Sequence, residues 1–172
     1  MPADGPALER LWAGWRSAYV TGVAQQGSEV RGEGCIFCAL AAGADDSGQV
    51  LARGEHVFAL LNAYPYNSGH LMVAPLRHEG NLEALSGAES GELMAMTVDA
   101  VRAVKGAYSP DGVNVGMNLG RAAGAGIPDH LHVHVLPRWE ADTNFMTTVA
   151  EARVLPEPLS VTYERLVSAW PR

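Results

Sequence analysis

Apolar and polar positions change period several times along the chain, and each change predicts an element. From Pro6 to Val20, Leu8, Leu11, Trp12 and Trp15 recur at helical spacing, which predicts a helix with one apolar, aromatic face for the core or a partner subunit. Thr21 to Gly34 is rich in Gly, Gln, Ser and charge and reads as a linker. Strand-like runs follow at Val50–Arg53, Val57–Asn62 and His70–Pro75, separated by turn-rich Gly43–Gly48 and Tyr64–Gly69. Ser86 and Glu89 have capping-box spacing and open a helix over Ala88–Tyr108. Its Leu93, Met96, Thr97, Ala100, Val101 and Val104 form a buried stripe, and Ser109-Pro110-Asp111-Gly112 ends it. Val113, Val115, Met117 and Leu119 then alternate with Asn114, Gly116 and Asn118. A second strand is expected over His130–Arg138 and a last helix over Leu159–Trp170. This order predicts an α+β fold, an antiparallel sheet of about five strands with helices packed on one face. It predicts a single domain over 1–172, with 1–34 as an N-terminal helix plus flexible linker.

Composition narrows the function classes. The net charge is −7 and no basic block is present, which excludes a general nucleic-acid binder. A small anionic ligand stays possible, because backbone N–H groups, an Arg and a few histidines suffice to hold phosphate. No apolar run approaches membrane-spanning length, and Met1–Arg10 lacks the apolar core of a signal peptide, so the expected location is cytoplasmic. The two cysteines, Cys35 and Cys38, are no disulfide framework. They point to metal or redox chemistry.

On a strand, His130, His132, His134 and Arg138 share one face, while Leu131, Val133 and Val135 share the other, the core side. Three imidazoles in a row on a buried face are costly to leave unpaired. The neighbouring strand adds Asn114 and Asn118. The connection Gly120-Arg121-Ala122-Ala123-Gly124-Ala125-Gly126 can bring backbone N–H groups close to phosphate oxygens. Two chemistries fit: a catalytic metal on His-x-His, or a neutral imidazole attacking phosphorus. A metal needs a further ligand near the triad, and Asp129, adjacent to His130, points to the opposite face. Covalent catalysis needs one nucleophile, a group fixing its tautomer and donors for phosphate, and this strand and loop supply candidates for all three.

The segment His130-Leu131-His132-Val133-His134-Val135-Leu136-Pro137-Arg138-Trp139 resembles the signature of the histidine-triad family. Leu61-Asn62 with Gly69-His70-Leu71-Met72-Val73-Ala74-Pro75, and Gly34-Cys35-Ile36-Phe37-Cys38, resemble other segments of that family. Asn118-Leu119-Gly120-Arg121 and Asp142-Thr143-Asn144-Phe145-Met146 resemble a bacterial branch that includes diadenosine tetraphosphate phosphorylases. The resemblance spans Leu11 to Trp170 and implies cleavage of dinucleoside polyphosphates through a nucleotidyl-histidine, released to phosphate or water. It implies His132 as nucleophile, His134 and Asn118 as phosphate contacts and Asn62 as ribose contact. Gly124, Gly126 and Asn144 are further candidate substrate-binding positions, as are Arg138, a phosphate contact or a solvated salt bridge, and Trp139, a base-stacking ring or a packing residue. A homodimer or homotetramer is implied as well. Alternatives are a nucleoside phosphoramidase or general nucleotide hydrolase of the family, a nucleotide-binding module without turnover, and a metal-dependent hydrolase. The loop carries Ala125-Gly126 where the phosphorylases tend to carry Gly-Ser, so that pair offers no hydroxyl to a leaving group.

Cys35 and Cys38 could form a redox dithiol, a zinc site or a pair of inert thiols. His78 and His130 complete a Cys2His2 set of the kind that closes around structural zinc, and relatives with this Cys pair resemble that pattern. His70 is expected to be structural and His56 a surface residue.

Overall fold

The computed structural model describes residues 34–43, 49–140, 142 and 157–171. The helix expected over Pro6–Val20, nearly all of the linker after it, and Asn144 lie outside these residues. A short helix α1 (Ile36–Ala41) precedes strands β1 (Val50–Arg53), β2 (Val57–Leu61) and β3 (Leu71–Pro75). Helix α2 (Gly87–Tyr108), strands β4 (Gly112–Met117) and β5 (Val133–Arg138), and helix α3 (Leu159–Ala169) follow. The strands form one antiparallel sheet in the order β1-β2-β3-β5-β4. No helix among the described residues is long and apolar enough to cross a membrane.

Strand alternation gives the sheet two buried faces. Val57, Ala59 and Leu61 of β2, Leu71 and Val73 of β3, and Val133 and Val135 of β5 pack with Leu93, Ala100, Ala103 and Val104 of α2 and Leu166 of α3. The intervening Phe58, Leu60, Met72 and Ala74 meet Phe37 and Leu40 of α1 on the opposite face. Burying each such Phe or Leu contributes about 1.5–3 kcal/mol. The expected sheet with helices packed on it is present, with one addition. The two long helices share a face, and α1 covers part of the other. A six-residue helix is too short to declare a period in sequence, and the fold secures it from outside. Arg53 of β1 donates to the carbonyls of Leu40 and Ala41 at its C-terminal end.

Helix α2 starts as its sequence predicts. The Ser86 hydroxyl accepts from the Glu89 N–H at 3.2 Å, and the Glu89 carboxylate accepts from the Ser86 N–H at 2.8 Å. Arg77, just beyond β3, donates to the same carboxylate and holds it well below the usual range, at about 2. The end of β3 is thereby tied to the start of α2. Ser86→Ala is expected to lower stability by about 1 kcal/mol. An unchanged denaturant midpoint would show that this cap carries no weight.

Two strand boundaries differ from the sequence expectation, and both matter. β5 pairs only from Val133, because the Leu131 N–H turns away to donate to the Glu79 carbonyl at 2.7 Å. His130 and His132 therefore lie on a lead-in outside the ladder. β4 stops at Met117, which leaves Asn118 at its exit.

Candidate active site

His132 sits where the lead-in meets β5 and is 7% exposed. Its Nδ1 lies 2.8 Å from the main-chain oxygen of His130. A carbonyl only accepts, so Nδ1 carries the proton and Nε2 carries the lone pair. Burial lowers the pKa of this imidazole, which favours the neutral form. Phe37 of α1 stacks on the ring, with centroids 5.0 Å apart.

His134 has the opposite tautomer, and the reason starts one strand away. The Tyr66 N–H donates to Nδ1 of His70 at 3.1 Å, so that nitrogen is unprotonated. His70 is wholly buried, and burial followed by the neighbouring His134 and His132 pushes it down to about 3, so it is neutral. Its proton therefore resides on Nε2, which donates to Nδ1 of His134 at 2.9 Å. His134 must then carry its own proton on Nε2. The two imidazoles, 4.9 Å apart and edge to face, are a lone-pair bearer and a proton bearer at corresponding ring positions. That arrangement suits attack on a phosphorus whose oxygens need a hydrogen-bond donor.

The other predicted positions surround this pair unequally. Asn62 follows β2 and accepts the Tyr64 N–H on Oδ1 at 2.9 Å, which identifies its other amide atom as the nitrogen donor. That nitrogen is 3.5 Å from His70 Nε2. Asn118 is half-buried at the exit of β4, one residue beyond Met117, whose partner in β5 is Val133. Gly124 adopts φ +90°, a left-handed backbone that closes the short turn over Arg121–Ala123. Gly126 lies in the same half-buried loop. Arg138 and Trp139 are at the far end of β5. The Arg138 guanidinium is paired with Asp142 and donates to Asn114 at 3.0 Å. Trp139 meets Tyr108 edge to face. A surface groove of about 450 Å³ is lined by Gly80–Glu83, Leu119–Arg121, Pro128 and Asp129, and by none of the histidines.

Cys35, Cys38, His78 and His130 converge with their ligand atoms all within 4.8 Å of one another. His130 Nε2 is 2.8 Å from the Pro75 carbonyl and so carries the proton, which turns a lone pair on Nδ1 toward the thiols. Nδ1 of His130 is 3.4 Å from Cys35 Sγ and 3.6 Å from Cys38 Sγ, and Nδ1 of His78 is 3.2 Å from Cys38 Sγ. Zinc bonds of ~2.3 Å to sulfur and ~2.0–2.1 Å to nitrogen place tetrahedral S and N donors about 3.5 Å apart. The donor set fits that ion.

Sequence reasoning set His70 aside as structural, yet it determines which nitrogen of His134 bears the proton. Its place in Gly69-His70 at the start of a strand antiparallel to the triad strand was the available signal. Tyr66, whose ring lies 4.6 Å from His70 and 5.8 Å from His134, and Phe37 were not singled out either.

Comparison with known proteins agrees with this geometry. The family model described as HIT domain matches residues 45–141. The AP-4-A phosphorylase of Mycobacterium tuberculosis is 43% identical over 167 residues, covering 96% of this chain and 86% of that protein. A Zn-bound histidine triad family protein from Mycobacterium smegmatis superposes with a TM-score of 0.66 at 26% identity, over 81% of this chain and 94% of that one. A hypothetical histidine triad nucleotide-binding protein from Sulfolobus tokodaii gives 0.65 at 27% identity, over 78% and 91%.

Proposed function

The chain belongs to the HIT domain family, and from that premise we propose that it cleaves dinucleoside polyphosphates of the diadenosine tetraphosphate type through a covalent nucleotidyl-histidine. The observation that carries this reading is the pair of opposed tautomers. The Nε2 lone pair of His132 attacks the α-phosphorus, the bond from phosphorus to the bridging oxygen breaks, and the remaining nucleotide leaves with that electron pair. The Nε2–H of His134 donates to a phosphate oxygen as charge develops there. Asn118 and the loop bearing Gly124 and Gly126 contact the phosphate chain, and Asn62 contacts the ribose. Arg138 and Trp139 serve by fixing the end of β5, an assignment supported by Asp142, Asn114 and Tyr108. In the second step, phosphate or water displaces His132 from phosphorus.

Cys35, Cys38, His78 and His130 hold structural zinc in this reading. The ion supplies a closed tetrahedral brace and no position for substrate. Assembly as a homodimer or homotetramer belongs to the same reading, supported by β4, which is an edge strand of the sheet among the described residues and carries a half-exposed Val115.

The test is product analysis with diadenosine tetraphosphate, with and without inorganic phosphate. The expected result is ADP plus ATP when phosphate is present. AMP plus ATP without phosphate dependence would make water the acceptor, an outcome that the hydroxyl-free Ala125-Gly126 pair accommodates. Faster cleavage of a nucleoside phosphoramidate would shift the substrate class. Tight nucleotide binding with no turnover would overturn the enzymatic reading.

A further inference from the structure

We propose that His130 is a positioning residue that makes metal loading a condition for nucleotidyl transfer but not for nucleotide binding. The inference rests on the function proposed above and adds a control to it. Three polar atoms of this residue each have one directed task. Nδ1 faces Cys35 and Cys38, Nε2–H is anchored on the Pro75 carbonyl, and the main-chain oxygen receives the Nδ1–H of His132.

The carbonyl that sets the nucleophile's tautomer lies outside the sheet ladder, because β5 begins at Val133. Its orientation depends on the Leu131 N–H, bonded to Glu79, and on the side chain of its own residue. The fully buried His130 ring is pinned at Nε2 by protein and at Nδ1 by whatever the thiols hold. Cys35 is also the residue that opens α1, and Phe37 of α1 packs on both His130 and His132 at 4.9 and 5.0 Å. Emptying the metal set therefore releases one end of the His130 ring and the start of α1 together. The His130 carbonyl is then held only through the Leu131–Glu79 bond and the Nε2–H anchor on Pro75, so its bond to the His132 Nδ1–H loosens and the Nε2–H tautomer, which has no lone pair for phosphorus, becomes populated. Asn62 and His134 are oriented by other contacts, the Tyr64 N–H and the Tyr66–His70 chain, so nucleotide binding is preserved. Partners next to a ligating histidine commonly change activity by ~10–100-fold when lost.

The experiment uses the full chain as purified, the same protein after reversible zinc chelation, and the variants Cys38→Ser and His78→Ala. Four quantities are measured: zinc content, AMP affinity, the single-turnover rate of nucleotidyl-enzyme formation from diadenosine tetraphosphate, and the His132 tautomer by ¹⁵N NMR. Zinc loss is expected to leave AMP affinity within about threefold and to mix the His132 tautomers. The covalent step should fall at least ~10-fold, and zinc re-addition to chelated protein should reverse both changes. An unchanged tautomer and rate without zinc, full activity in protein purified with no zinc, or a parallel collapse of AMP affinity would each overturn the proposal. Reversible chelation keeps it testable if a variant does not fold. The tautomer readout needs no substrate, so failure of the dinucleoside reading is told apart from failure of this one.

Discussion

His132→Asn is expected to leave the protein folded and able to bind AMP, and to form no nucleotidyl-enzyme. The asparagine amide can still donate to the His130 carbonyl, so no buried acceptor is orphaned, but no nitrogen lone pair remains to attack phosphorus. Turnover is expected to drop by ~10⁴ or more, as for removal of other covalent nucleophiles. Retention of even a hundredth of the activity would sink the covalent route. The wild-type pH profile supplies a companion reading. Burial holds the pKa of His132 below the ordinary histidine value of 6.5, so its neutral form persists into mildly acidic solution. The rate of the first step is lost as pH falls through the depressed value, and its acid limb lies below that of free imidazole.

A paired substitution at His70 yields the second large effect. His70→Leu removes both ends of the chain from the Tyr66 N–H to His134 Nδ1, and takes from the buried His134 ring the donor that fills its Nδ1. His134 is then free to move its proton to Nδ1, which replaces the donor toward phosphate with a lone pair. The expected result is a ~10²-fold fall in kcat, the scale of losing one charge-stabilising donor. His70→Gln offers a carbonyl to Tyr66 and an N–H to His134, so it should recover most of that loss. Equal damage by Leu and Gln would mean that the ring acts by shape alone. A drop in kcat with Leu but no change in thermal stability would show that losing the donor to the buried His134 Nδ1 costs the fold little.

Much of this was legible in the chain. Ser86 and Glu89 announce α2 because a capping box is a local, reciprocal arrangement. The strands read cleanly where one face differs from the other. Legibility ends where long-range contacts decide. β5 was expected from His130 because alternation continues through His130-Leu131-His132. The Glu79 carbonyl, some fifty residues earlier, claims the Leu131 N–H and ends the ladder. α1 carries too few residues to show a period, and the sheet face it covers exists only after folding. His70 looks like any lone histidine on a strand until β3 pairs with β5 in the register that sets Met72 opposite His134. The Cys2His2 set is expected from residue types together with the family resemblance, while the tautomer that turns His130 Nδ1 toward the thiols comes from Pro75.

The alternation along Leu131–Val135 also limits how this gene can change in length. Core residues and imidazoles occupy successive positions on opposite faces. One inserted or deleted codon here would send His132 and His134 into the dry layer beneath α2 and bring valines out among the phosphates. This stretch is expected to tolerate replacement in place but not a change of length. Length variation is left to the exposed turn around Gly120–Ala123, where a residue gained or lost shifts the approach to the phosphates without exchanging the two faces of the sheet.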